Sequence, residues 1–143
     1  MIIPDVNVLL HAYDPSSRYY LATKAWWENT LSGDRPVGLP WIVLLGFIRI
    51  STNPRIWPQP MRVTDATRRV ASWLAEPCTE ILAPGNRHHE ILFSLLDTVG
   101  AGGNLTTDAH IAALALEYQA EVATTDADFA RFPRVRCFNP SEV

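Results

Sequence analysis

The sequence predicts an α/β domain built around a mainly parallel β-sheet. Short apolar runs of four or five residues alternate with longer segments of helical periodicity, which is the pattern of helices packed on parallel strands. The chain has 143 residues, of which 48% are hydrophobic, and this is enough to bury one core without disulfides or a structural metal. Because no low-complexity segment or linker interrupts the pattern, we expect a single domain over residues 1–143.

The first half of the chain is expected to hold two strands and three helices. In order, they are a strand at MIIP, a helix at NVLLHAY that Asp5 or Asn7 can cap, a helix from about Ser17 to Leu31, a strand at PVGLP and a helix at WIVLLGFIRIS. The last of these is apolar on nearly all sides, so it is expected to be buried. The segment NPRIWPQPM has three prolines and is expected to be a loop.

The second half alternates in the same way. It begins with a predicted helix that Thr64 caps and that ends near Ala75, followed by a strand at TEIL and a helix from His88 to about Val99 that GAGG ends. The next helix opens on Thr107 or Asp108 and runs to about Tyr118. A strand at EVATT, a short helical turn at DADFARF and a strand at VRCF complete the chain.

Charge and hydropathy limit the classes of function. The formal net charge of −3 argues against binding of nucleic acid by an overall positive potential, although it leaves room for local basic patches. No segment approaches the roughly 20 apolar residues of a membrane span. The start of the chain has no basic residue ahead of its apolar run and no small-residue cleavage pattern, so we expect a cytoplasmic protein with no membrane partner.

Three aspartates are predicted to converge at one edge of the sheet. Asp108 opens a helix that descends about 18 Å, and the following strand returns about 15 Å to Asp126. Asp5 ends the first strand, so its carboxylate reaches the same edge if that strand is parallel to EVATT. A lone aspartate at a helix start is more often only a cap. Three together favour a divalent cation, and oxygen ligands alone favour Mg²⁺ or Mn²⁺.

Three segments of this chain resemble the PIN-domain ribonucleases, and in particular the VapC toxins of toxin–antitoxin pairs. They are IIPDVNVLLHAY, TTDAHIAALALEYQAEVATTDADFARF and VRCFNP. The resemblance implies a three-layer α/β/α domain whose central five-stranded sheet has the order 3-2-1-4-5. It also implies Mg²⁺- or Mn²⁺-dependent cleavage of RNA phosphodiester bonds, with Asp5, Asp108 and Asp126 as catalytic metal ligands. The partners it implies are a VapB-like antitoxin, whose C-terminal segment covers the acidic groove, and a second copy of the toxin.

Gly46 departs from the family pattern. PIN toxins usually carry a glutamate in the buried third helix, where this chain reads LLGFIRIS. Asp128, a further candidate metal ligand, or Glu117 could supply the missing carboxylate. Alternatively, the site holds one ion firmly and recruits a second with RNA. In the last alternative the chain is a weak or inactive nuclease that serves as an RNA- or protein-binding module.

Other residues are candidates for supporting roles. Asn7 and Thr125, the latter through its hydroxyl, are expected to contact the metal ligands. Arg49 and Arg55 are candidates for binding RNA.

Aromatic and histidine side chains leave further alternatives. Trp57 could stack on an RNA base or pin its loop to the core. Trp26 and Trp27 point about 100° apart on one helix, so Trp27 is a candidate contact for a partner. His88 and His89 are expected at the surface.

A different class of function uses Asp5 as a nucleophile or phosphate acceptor, as phosphatases and receiver domains do. Those sites need a lysine at a strand end. The one lysine of this chain, Lys24, falls within a predicted helix, which disfavours this alternative.

Overall fold

The computed structural model describes residues 1–142, which form a five-stranded sheet in the order β3-β2-β1-β4-β5. Every neighbouring pair of strands is parallel, so the predicted order and direction are confirmed. The strands are β1 (Ile2–Pro4), β2 (Val37–Pro40), β3 (Thr79–Leu82), β4 (Glu121–Ala123) and β5 (Arg136–Phe138).

Helices connect the strands and cover the sheet. They are α1 (Val6–Ala12), α2 (Tyr20–Leu31), α3 (Trp41–Ser51), α4 (Val63–Leu74), α5 (His88–Val99) and α6 (Leu105–Glu117), with short 3₁₀ helices at Ala127–Arg131 and Pro140–Glu142. All residues of β1 and β2 are buried. Since successive strand residues point to opposite faces, helices must cover both faces of the sheet, which gives three layers. None of the helices in residues 1–142 is long and apolar enough to cross a membrane.

The start of α6 differs from its prediction. The helix begins at Leu105, not at Thr107 or Asp108, and Asn104 precedes it without a side-chain cap. Leu105 is buried in the core, so extending the helix by three residues removes this side chain from water. Asp108 therefore lies within the first turn of α6.

The two adjacent tryptophans of α2 take the opposite positions to those expected. Trp27 is fully buried and meets the Trp73 ring edge-on at 5.6 Å, whereas Trp26 is only half-buried. The prediction that Trp27 contacts a partner is therefore wrong. The reason is the orientation of α2, which turns Trp27 toward the aromatic cluster that α3 and α4 share, where Phe47 packs on Trp73 at 4.8 Å.

Candidate active site

The carboxyl ends of β1 and β4 bring two acidic segments together. Pro4 and Ala123 lie opposite each other in the parallel register, and the Asp5 N–H donates to the Ala123 carbonyl at 2.9 Å. Asp5 follows β1 directly, and Asp126 follows β4 after two threonines. The two strands thus deliver both carboxylates to the same edge of the sheet, as the sequence predicted.

The Asp5 carboxylate is buried and held on both oxygens. It caps α1, with Oδ1 accepting from the Val6 N–H at 2.7 Å and Oδ2 accepting from the Thr124 hydroxyl at 2.9 Å. Burial raises the pKa of Asp5, the hydrogen bonds from Thr124 and Val6 lower it, and the charge of Asp126 raises it. The net effect is a raised pKa, so ionised Asp5 gains from any added positive charge.

Thr124 is the residue that connects this edge. Its hydroxyl donates to Asp5 and accepts from the Asn7 side-chain amide at 3.4 Å and from the Asp126 N–H at 3.0 Å. These three bonds use the full capacity of a hydroxyl. The prediction that Thr125 acts through its hydroxyl is therefore wrong, because Thr125 instead donates its backbone N–H to Asn7 Oδ1 at 3.3 Å. The register could have identified Thr124, since the residue after Ala123 must lie beside Asp5.

Asp108 faces these carboxylates from α6. Burial, followed by the negative charges of Asp5, Asp126 and Asp128, raises the pKa of Asp108 from 3.8 to about 6. Asp126 caps the first 3₁₀ helix, with Oδ1 accepting from the Asp128 N–H at 2.9 Å, and the Asp128 side chain is exposed. Three other aspartates therefore act on Asp108 at this edge, and the charges acting on it are all negative.

The donor set fits a hard divalent cation held partly through water. Within residues 1–142, no three His, Cys, Asp or Glu side chains approach closely enough to hold an ion among them. Mg²⁺ commonly binds through one or two carboxylates and retains several waters, so it does not need such a closed cage. A structural zinc site, by contrast, takes four close ligands that include thiolates or imidazoles.

Gly46 serves the packing of α3 on α1. A Cβ at this position would lie 2.8 Å from Val6 Cγ2, which is closer than any real contact of that kind. Val6 directly follows Asp5, so the absent side chain allows α3 to approach the helix that the site aspartate caps. The glycine therefore has a structural reason of its own.

Glu117 does not belong to the aspartate cluster. It lies about 14 Å farther along α6 than Asp108, where it accepts from His88 Nδ1 at 2.7 Å and from the Gly85 N–H at 3.0 Å. The suggestion that Glu117 replaces the missing carboxylate is therefore wrong. Asp128 remains close enough to act on Asp108.

The predicted surface position of His88 is also wrong. This residue is 8% exposed, and its Nε2 lies 2.9 Å from His110 Nδ1. Because a carboxylate only accepts hydrogen bonds, His88 Nδ1 carries the hydrogen that Glu117 receives. A Glu117–His88–His110 chain thus ties α5 to α6, while His89 is exposed as expected.

The candidate RNA contacts lie in the last turn of α3 and in the loop that follows it. Arg49 and Arg55 are exposed. The Trp57 ring is half-buried, and its Nε1 donates to the Ile50 carbonyl at 2.9 Å, so it does pin the proline-rich loop to the end of α3. One side of this ring also lines a cavity.

Comparison with known proteins defines the class. Residues 2–135 match the PIN domain family. Ribonuclease VapC33 of Mycobacterium tuberculosis is 40% identical over 140 residues, which is 98% of each chain, and VapC37 of the same species is 41% identical over 140 residues, covering 98% of this chain and 97% of that protein.

Solved structures share the fold. FitAcB from Neisseria gonorrhoeae superposes with a TM-score of 0.67 at 24% identity over the whole of both chains. The sarcin–ricin loop cleaving toxin VapC20 of Mycobacterium tuberculosis superposes with a TM-score of 0.69 at 17% identity, covering 95% of this chain and 99% of that one. The chain belongs to the PIN-domain family, and its 40%-identical relatives place it among the VapC ribonucleases.

Proposed function

We propose that this protein is the toxin of a type II toxin–antitoxin pair, and that it hydrolyses RNA phosphodiester bonds with Mg²⁺ or Mn²⁺ held at Asp5, Asp108 and Asp126. The observation that carries the proposal is the cluster of aspartates at the carboxyl edge of the sheet, where burial and the negative charges of the other aspartates together raise the pKa of Asp108 to about 6. A cluster of this kind persists in an enzyme when a cation offsets the repulsion.

The roles of the residues follow from their contacts. When bound, a divalent cation supplies positive charge for the phosphate oxygens and makes water more acidic. Asp5 is fixed in one orientation by Val6 and Thr124, so it presents its carboxylate without a cost in side-chain freedom. Asn7 holds the segment after β4 through Thr124 and Thr125, which sets the position of Asp126. We expect products with 5′-phosphate and 3′-hydroxyl ends.

The replacement of the usual glutamate by Gly46 bears on strength of activity. Three aspartates are enough for one cation that retains several waters, and we infer that the site binds a single ion firmly. An inactive domain that only binds RNA is the competing function. RNA binding without any Mg²⁺- or Mn²⁺-dependent cleavage would favour that alternative.

The proposed partner is a VapB-like antitoxin that covers the acidic groove. Solved structures with the same fold include VapBC2 from Rickettsia felis bound to a fragment of promoter DNA. In that structure the toxin is in a complex with its antitoxin. A second copy of this chain is a further expected partner. Trp41 and Leu45 lie one turn apart on α3 and are 52% and 55% exposed, which is an unusual amount of apolar surface for a helix without a partner.

Replacement of Asp5 by asparagine tests the site. Asparagine caps helices as well as aspartate does, with its Oδ1 still accepting from the Val6 N–H, while its Nδ2 takes the place of the oxygen that accepts from Thr124. Asp5→Asn should therefore keep the helix cap and lose the charge, and circular dichroism checks that the fold is retained. We expect cleavage of cellular RNA and growth inhibition on induction to fall by about a hundredfold. Asp97→Asn, on the exposed face of α5, is the matched control. Full cleavage by the folded Asp5→Asn protein would refute the assigned site.

A further inference from the structure

A cavity of about 260 Å³ lies at the carboxyl end of α1, between α1, α3 and the proline-rich loop. Its walls are largely aromatic and apolar: the half-buried side chains of Tyr13, Trp57 and Met61 line it, and the fully buried Phe47 borders it. A volume of this size is below the range of pockets for drug-sized ligands. It suits a single planar group.

The aromatic walls are held rigidly. Trp57 is fixed by its bond to the Ile50 carbonyl, and the Tyr13 hydroxyl accepts from Trp73 Nε1 at 2.8 Å. The Phe47 ring packs edge-on against Tyr13 at 5.8 Å. Preorganised aromatic surfaces of this kind are how proteins stack unpaired bases, and such stacking is worth about 1–3 kcal/mol per base.

The rim of the cavity presents a hydrogen-bond acceptor. Asp14 Oδ1 accepts from both the N–H and the hydroxyl of Ser16, at 3.0 Å and 2.6 Å. Within residues 1–142, Asp14 Oδ2 receives no hydrogen bond from the protein. An ionised carboxylate can only accept, so Asp14 favours an entering group that presents N–H donors. Among the nucleobases, guanine presents two neighbouring donors on its Watson–Crick edge.

Two arginines adjoin the cavity. Arg68 and Arg69 line a second depression that shares Met61 with the first. The Arg69 guanidinium lies over the Tyr13 ring, 4.9 Å from its centroid. Both guanidinium side chains are exposed and free to meet a phosphate, which arginine recognises in a bidentate manner. An aromatic slot beside two arginines matches a base with its own phosphate.

The distance to the proposed catalytic edge is short. Asp5 caps the start of α1 and Tyr13 follows its end, so the two are about 12 Å apart along the helix axis. This corresponds to about three to four stacked nucleotides. A short stretch of one RNA strand is therefore long enough to reach both places.

We propose that this cavity binds one unstacked guanine of the RNA substrate, with Asp14 receiving hydrogen bonds from its Watson–Crick edge and Arg68 and Arg69 binding the adjoining phosphate. The proposal rests on the proposed function, because it assumes that RNA is the substrate. It makes Asp14 a determinant of base preference a few nucleotides from the cut.

Equilibrium binding without cleavage tests the proposal. The probes are short fluorescent oligouridines that carry one central guanine, adenine or cytosine, measured by anisotropy in EDTA. The intact chain should bind the guanine probe about tenfold more tightly than the others. Asp14→Asn retains the acceptor for Ser16 and replaces Oδ2 by a donor, so it should abolish this preference. Asp97→Asn should retain it.

The arginines are tested by salt dependence. Arg69→Gln should weaken binding of all probes alike and reduce the slope of affinity against salt by about one. Arg136→Gln, at the amino end of β5, should change neither. Equal affinity of the intact chain for every probe, or a guanine preference that survives Asp14→Asn, would overturn the proposal. If Asp14→Asn and Arg69→Gln lost binding of the antitoxin and kept the RNA binding of the intact chain, the proposal would also be overturned, and the cavity would belong to the protein interface.

The two proposals can fail separately. Guanine-selective binding by a chain that cleaves no RNA would refute the ribonuclease and support the base site. Cleavage that depends on Asp5, with no base preference in either cleavage or binding, would do the reverse.

Discussion

Two acidic residues on the same helix have opposite surroundings. Near the start of α6, Asp108 faces three further aspartates, and the charges that act on it are all negative. At the end of α6, Glu117 accepts hydrogen bonds from His88 and from the Gly85 N–H. One helix thus carries an acid whose charge is opposed by its neighbours and an acid whose charge is satisfied by them.

The difference distinguishes a ligand-binding site from a structural contact. A paired acid such as Glu117 stabilises the fold, and its charge needs no ligand to offset it. The aspartate cluster is destabilising as long as its charge is not offset, and residues of that kind gather where a protein binds something. The comparison therefore predicts that Asp108 matters for activity and Glu117 for stability.

The largest expected effect is on cleavage. Asp108→Asn should reduce kcat/KM for RNA by about a hundredfold, because it removes one of the carboxylates that we propose as ligands of the cation. Glu117→Gln, the matched change on the same helix, should leave kcat/KM unchanged. Cleavage assays with both purified variants check this, and equal losses in the two would break the comparison.

The next effect is on stability, at the satisfied end of α6. His88→Ala leaves Glu117 and His110 without their shared partner and opens a cavity, so the free energy of unfolding should fall by about 3 kcal/mol. Exposed His89 is the control, since His89→Ala should cost less than about 0.5 kcal/mol. Chemical denaturation measures both. A change at His88 as small as that at His89 would show that the hydrogen-bonded chain contributes nothing.

The contributions of Asp108 and His110 to stability should depend on pH with opposite signs. Because the folded state raises the pKa of Asp108 from 3.8 to about 6, it binds that proton more tightly than the unfolded chain does, and this term makes stability fall as pH rises across that window. Burial, and then the charge of His88, lowers the pKa of His110 below 6.5, so its term makes stability fall as pH drops below 6.5.

Asp108→Asn isolates the first of these terms. In EDTA the variant should be more stable than the wild type by about 1 kcal/mol at pH 7.5, a value reduced for the partial exposure of the carboxyl group. The gain should vanish below about pH 4. Denaturation at the two pH values measures it, and an equal gain at both would point to a cause other than charge.

The smallest effect concerns Gly46. Gly46→Ala gains about 1 kcal/mol of helix propensity but forces a Cβ against Val6, and overpacking of that kind costs about 1–3 kcal/mol. We expect a net loss of about 1 kcal/mol in the wild type and no loss in a Val6→Ala background. A double-mutant cycle tests this coupling. Equal effects in both backgrounds would show that close packing does not explain the glycine.

Local pattern predicted the elements and the convergence of Asp5, Asp108 and Asp126, and the family resemblance predicted the order of the strands. These follow from periodicity, from the family resemblance and from the geometry of parallel strands. What local pattern missed depends on contacts between distant parts of the chain. Thr124, and not Thr125, contacts Asp5 through its hydroxyl because of the register between β1 and β4.

The remaining errors have the same origin. Trp27 is buried because of how α2 meets α4, and His88 is buried because Glu117, far along the sequence, receives its hydrogen. The reason for Gly46 is a side chain on another helix. Neither helix orientation nor a long-range hydrogen bond can be read from the periodicity of one segment.

The central claim is that the aspartate cluster is a site for a divalent cation, and thermal unfolding tests it most directly. Adding millimolar Mg²⁺ or Mn²⁺ should raise the Tm of the wild type and of Glu117→Gln by about 3–5 °C, because only the folded state holds the cluster together. The Tm of Asp108→Asn should not change. No shift in the wild type, or the same shift in all three proteins, would contradict the account.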